Sequence, residues 1–246
     1  MIALLFLLAA PVDAQAVLQM VLASDPWGFS DAEVVTHAVM NDRHGSTSEL
    51  RFSALSRRYD PPLSKTIARL LEPADLAGTG FLQTQRRDAD DDRWLFLPEL
   101  KRSRRISGAL RTSSFLGTDM SFAEIDRRDL RDGKPALNGE ETLAARPCWR
   151  LIITGTRGDS EYSKIELWVR QDNGLPVLWK MYDRSNQLFK TLAAEEVQRV
   201  GGRWFITRSR MTNLREQHQT LWILEQVTPR ADISDDEFTL RNLEKM

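Results

Sequence analysis

The chain lacks most of what covalent or metal-centred chemistry requires. Cys148 is its single cysteine among 246 residues, so no intramolecular disulfide forms and a zinc site built on several cysteines is excluded. Histidine is scarce too. His37, His44 and His218 match no ligand spacing such as the paired histidines of a metalloprotease helix. No G-x-S-x-G elbow marks a serine nucleophile, and the serines at 160 and 163 sit in an ordinary turn-to-strand context. Charge of one sign is missing: 34 Lys and Arg face 35 Asp and Glu, for a net charge of -1. No global field therefore draws the chain to nucleic acid or to a membrane surface. No apolar run reaches the ~20 residues needed to span a bilayer. Repeats, low-complexity tracts and shifts of composition are also lacking, which argues for one domain. The expectation is a protein that is not an enzyme, with no catalytic residues, metal, cofactor or nucleic-acid partner.

A core is affordable. Hydrophobic residues make up 41% of the chain and aromatics 8%. Residues 2–10 (IALLFLLAA) are a short apolar run, broken by Pro11 and followed by Ala14 and Ala16. This fits a secretory signal, with cleavage after residue 14 or 16, although no Lys or Arg precedes the run. Residues 1–14 are then signal peptide and 15–246 the mature domain, exported and soluble. No cysteine follows the run, so no lipid-anchored N-terminus is expected.

Residues 16–23 and 29–41 are predicted helices. The second opens on Ser30 and Glu33, a capping-box spacing, with Val35, Ala38 and Val39 on one face. From residue 48 the pattern becomes β. Residues 48–58 alternate, with Leu50, Phe52, Ala54 and Ser56 on one side. Residues 64–71 continue as strand. Residues 80–87 and 93–97 make a hairpin about an acidic turn, where Asp88, Asp90, Asp91 and Asp92 read as solvated. They lack the glycine and terminal glutamate of a calcium loop. Strands at 162–170, 176–183, 187–199, 203–213 and 218–227 form a meander of hairpins. Turns fall at Asn173-Gly174, residues 183–186 and Gly201-Gly202. Ser234 and Glu237 open a last short helix. A sheet with one wet face should alternate cleanly. Residues 94–97 (WLFL) and 221–224 (LWIL) are apolar on both faces, and 177–179 nearly so. The physical solution is a curved sheet wrapped around helices.

The most distinctive stretch is 92–124, DRWLFLPELKRSRRISGALRTSSFLGTDMSFAE. It runs from an apolar strand through a proline turn, a basic cluster and a glycine loop to a helix that Ser121 and Glu124 cap. Lys101 and Arg102 read as a solvated charge run. The order Trp94, Leu97, Pro98, Arg104, Arg105, Ile106, Ser107, Gly108, Phe115, Gly117, Asp119 resembles the signature region of the LolA-like family of outer-membrane lipoprotein-sorting proteins, of the type that accompanies RND exporters. Trp179-Lys180 and the Phe238 tail fit more weakly. The resemblance implies a mainly β, α+β fold: one antiparallel, strongly curved sheet forming an incomplete β-barrel plugged by short helices. It implies a periplasmic carrier or chaperone that holds lipid or lipoprotein acyl chains in an apolar cavity and moves them towards the outer membrane. Candidate cavity residues are Trp94, Phe96, Phe115, Leu116, Met120 and Phe122. Arg104 and Arg105 are candidates for a headgroup or partner contact, since arginine forks grip phosphate. A monomer is expected, with an RND-type exporter as a possible partner. The rival reading is an accessory module that docks on such an exporter or envelope complex and carries nothing, its barrel filled by its own side chains.

Overall fold

The computed structural model describes residues 12–24, 31–60, 63–87, 89–156, 158 and 160–245. The apolar run at 2–10 lies outside them, as does Ser30. The chain forms one antiparallel sheet of 13 strands, curved and unclosed, with short helices packed on it. The first six strands are β1 (Ala32–Asn41), β2 (Thr47–Asp60), β3 (Leu63–Glu72), β4 (Gly80–Thr84), β5 (Asp92–Leu97) and β6 (Arg102–Arg105). The remaining seven are β7 (Lys134–Leu143), β8 (Arg146–Thr154), β9 (Tyr162–Arg170), β10 (Pro176–Asp183), β11 (Leu188–Val200), β12 (Arg203–Asn213) and β13 (His218–Pro229). Their spatial order is β6-β5-β4-β3-β2-β1-β13-β12-β11-β10-β9-β8-β7. The first and last strands thus pair in the middle of the sheet, while its two free edges, β6 and β7, are consecutive in the chain. Residues 106–133 run between those edges and carry α2 (Phe122–Asp126) and α3 (Arg128–Asp132).

The predicted helix at 29–41 is instead strand β1. Its inward face is Ala32, Val34, Thr36, Ala38 and Met40, all buried, with period two. Val34, Val35 and Thr36 stiffen at χ1 and pack better on a pleated surface than on a helix. Glu33 is exposed on this strand and caps nothing. The other predicted strands stand where the alternation placed them. β2 buries Leu50, Phe52, Ala54 and Ser56. The N-terminal helix is α1 (Ala14–Ala23); the Asp13 carboxylate accepts from the Ala16 N–H at 2.8 Å. α1 buries Val17, Leu18, Val21 and Leu22 and packs against β7, β8 and α3.

Both faces of the sheet are covered at β5, for different reasons. Leu95 turns to the concave side, where the main core lies. Trp94 and Phe96 turn to the convex side. There the C-terminal tail folds back, with a 3-10 turn at Asp235–Glu237 and α4 (Leu240–Leu243). Ile233, Phe238 and Leu243 bury Ile67, Leu82 and Phe96. The Ser234 hydroxyl accepts from the Asp236 N–H, and Thr239, not Ser234, caps the helix. Gly80 permits this contact: a Cβ there would stand 2.7 Å from Leu243 Cδ1.

Candidate binding cavity

The concave face of β2 to β5 is arranged in rows, because residues directly opposite in an antiparallel pair point to the same side. One row is apolar and begins with two small residues: Ala54 stands across from Ala68, Ala68 from Phe81, and Phe81 from Leu95. The next is polar: Ser56 across from Thr66, and Thr66 from Gln83. The alanines leave a depression in the sheet. Phe115, Met120, Ile125 and Arg127 of the connecting segment roof it without filling it. A cavity of about 100 Å³ remains. One water needs roughly 10–15 Å³ of such space for its centre, so the hollow is several waters in size. Its walls are mainly apolar and include Phe52, Trp222 and Leu224, with a polar end at Ser56, Ser64, Thr66, Gln83 and Gln85. A second hollow of about 30 Å³ lies across α2, between Leu130, Tyr162, Trp179 and Met211, and shares Met120 and Arg127 with the first.

The roof is held by buried polar contacts at four places. The Asp119 carboxylate accepts from the Thr220 hydroxyl at 2.7 Å and faces His218 Nδ1 at 2.8 Å, which fastens the glycine loop to β13. Ser121 and Glu124 form a full capping box on α2. Glu124 also meets Lys190 Nζ of β11 at 3.3 Å and accepts from the Tyr162 hydroxyl of β9. Burial first, and the Glu124 carboxylate second, hold that tyrosine well above its ordinary pKa, so it stays a donor. Arg127 takes a left-handed backbone between α2 and α3 and donates to the carbonyls of Val21 and Ser24 at the end of α1, where the Ser24 hydroxyl also donates to Val21. At the far end, Asp91 accepts from the Arg86 N–H at 2.9 Å, from Arg93 at 3.2 Å and from Arg131 of α3 at 3.2 Å. Asp91 therefore departs from the solvated acidic turn expected of it; its side chain is fully buried. Replacing Ser121 by Ala should cost about 0.5–2 kcal/mol, read as a lowered midpoint in urea unfolding.

The candidate residues separate by strand parity and by position. Phe115 and Met120 line the cavity over Ala54 and Ala68. Phe122 packs edge-on to Phe115 with ring centroids 5.6 Å apart, one step behind the wall. Leu116 lines a small neighbouring hollow of about 10 Å³ with Phe52, Ala68 and Phe81. Trp94 and Phe96 do not meet the cavity. They lie on the opposite face of the sheet, under the tail, because a strand apolar on both sides does not reveal which side turns inward. Arg104 and Arg105 are on edge strand β6, away from the lining. Arg105 shares the Trp94 side and pairs with Asp92 at 2.6 Å, while Arg104 is exposed across from Leu95. Sequence reasoning missed the floor, Ala54 and Ala68, and the polar end. The alternation of residues 48–58 carried the signal for Ala54 and Ser56, but small residues in a core face do not announce a void. Among the described residues no group of three or more His, Cys, Asp and Glu is placed to hold a metal, and no helix is long and apolar enough to cross a membrane.

One curved, open antiparallel sheet with helices plugging its concave side defines the LolA-like class of folds. Three solved structures share it over nearly their whole length. A DUF1329 family protein from Desulfovibrio piger is 26% identical, with 94% of this chain and 99% of that one covered and a TM-score of 0.84. A domain described as an outer membrane lipoprotein-sorting protein from Vibrio parahaemolyticus is 22% identical over 89% and 93%, with a TM-score of 0.80. A LolA superfamily protein from Nitrosomonas europaea is 24% identical over 94% and 99%, with a TM-score of 0.73. A search of curated proteins finds no match. A family model described as uncharacterized protein-like matches residues 62–245, most of the chain. The chain belongs to that family, and its fold is the LolA-like one.

Proposed function

We propose that this protein is a periplasmic carrier that holds acyl chains of a lipoprotein or lipid between its curved sheet and the 106–133 segment, and moves them towards the outer membrane. The observation that supports it is the hollow over Ala54 and Ala68, walled by Phe52, Phe81, Phe115 and Trp222 and left open under a roof of Met120 and Ile125. An acyl chain is almost pure CH₂ surface, and each CH₂ taken from water contributes about 0.8 kcal/mol. Sites for such ligands are apolar with few polar groups. The lipoprotein-sorting description of one structural relative points the same way. In this reading residues 1–14 are a signal peptide, the mature protein is a non-enzymatic monomer, and an RND-type inner-membrane exporter supplies or receives the cargo. Phe115, Met120, Leu116 and Phe122 contact the chain directly or back its wall, and Arg104, on the open sheet edge, is left for a headgroup or partner.

The carrier reading predicts co-purifying lipid. Protein from a periplasmic extract, denatured and analysed by mass spectrometry, should release acyl lipid in near-stoichiometric amount. Lipid-free protein that also binds no fluorescent fatty acid would overturn the reading and favour the accessory module, as would retention of an exporter by lipid-free protein.

A further inference from the structure

β1 turns five side chains inward, and four are apolar: Ala32, Val34, Ala38 and Met40. The fifth is Thr36, 5% exposed. Thr36 lines the cavity over Ala54 and Ala68, and among the described residues its hydroxyl has no hydrogen-bond partner. A buried hydroxyl left unmade costs about 1–3 kcal/mol, so an isosteric valine would make a better wall. Water is a poor remedy, because a buried water needs two to four polar partners. The residues directly opposite Thr36 are Phe52 on β2 and Leu224 on β13. The polar end of the cavity is elsewhere: Ser56 stands opposite Ala32, four residues back along β1, or about 13 Å at the usual rise per strand residue. The cavity thus has a first polar station at that end and a second at Thr36, while Ser209 and Arg127 also line it. The first is self-satisfied, since Ser56 donates to the Lys65 carbonyl at 3.0 Å and Gln85 Oε1 accepts from the Ser64 N–H at 2.9 Å. The second is a hydroxyl with hydrocarbon directly opposite it on both neighbouring strands.

We propose that the cavity is made for an amphiphile with a second hydrogen-bonding group, a hydroxyl or a carbonyl, partway along its apolar body. This rests on the acyl-carrier reading and narrows it. The polar head sits at the Ser56, Thr66 and Gln83 end, the body crosses Ala54 and Ala68, and the inner group pairs with Thr36. Rotation about χ1 exchanges the threonine methyl and hydroxyl between staggered wells, so the hydroxyl reaches the ligand without backbone movement. A ligand hydroxyl needs only that one partner, because its own chain holds it in place.

The test compares stearate with a hydroxystearate whose hydroxyl is mid-chain, both by isothermal titration. The natural protein should bind the hydroxylated acid about five- to tenfold more tightly, the value of one net buried hydrogen bond. Thr36→Val should abolish the preference, and Thr36→Ser should retain it. Thr207→Val removes another hydroxyl that has no partner among the described residues and lies outside the cavity lining, and should leave the preference intact. Equal binding of the two acids by the natural protein, or a preference that survives Thr36→Val, would overturn the inference while leaving the carrier reading standing. Binding of neither acid would instead sink the carrier reading. Circular dichroism of each variant separates loss of preference from loss of fold.

Discussion

Replacing Ala68 by Phe should abolish acyl-chain binding and leave the protein folded. Ala68 faces Ala54 and Phe81 across the floor of the cavity, and the space above it is already empty. A phenyl ring placed there fills a void, which does not force strain into a packed core, so the thermal midpoint should hold or rise. The ligand loses the volume. Excluding about four methylenes removes roughly 3 kcal/mol of burial, more than a hundredfold in affinity. Titration with a fluorescent fatty acid reads the loss, and calorimetry reads the fold. Binding that survives in a folded variant would show that the acyl chain lies somewhere other than this hollow.

Replacing Glu124 by Ala should produce the largest loss of stability of any single change in the roof. Glu124 and Lys190 are 9% and 8% exposed in their side chains, so the change leaves an ammonium buried without its counter-charge. Removing one partner of a buried pair costs about 3–5 kcal/mol. It also breaks the capping box and strands the Tyr162 hydroxyl. Adding Lys190→Met to the same protein should return most of the loss, since an apolar side chain of similar length asks for no partner. Urea unfolding of the single and double variants measures both effects. A single variant as stable as the natural protein would mean that the pair does not hold the roof down. With the roof loosened, stopped-flow release of a bound fluorescent fatty acid should also quicken in Glu124→Ala relative to the double variant.

The meander from residue 162 onward was legible because its turns use residues chosen for the turn, as at Asn173-Gly174, where the glycine has φ +72°. The hairpin of β7 and β8 was not. Its turn is Ala144-Ala145, both at positive φ, 45° and 60°, where the usual signature is Asn-Gly. β7 is mostly exposed and bulges between Leu137 and Glu140, so it lacks the apolar alternation of a half-buried strand. In β1 the positions of Val35, Ala38 and Val39 happened to satisfy a helical spacing, and the β-branched run beside them was the better guide. The roof helix was plain from Ser121 and Glu124, since a capping box is a local contract between two side chains and the backbone. The cavity floor was not, because emptiness depends on what fails to arrive from residues far along the chain.

The pairing of β1 with β13 in the centre of the sheet makes the 106–133 segment a drawstring. It is tied at one end to β6 and at the other to β7, the two hems of an unclosed cloth. It cannot swing out on a single hinge, as a flap with one free end does. Slack for lifting it off Ala54 and Ala68 must come from altered spacing between the hems, so the width of the gap and the depth of the hollow vary together. Whatever grips either hem has a hand on the string.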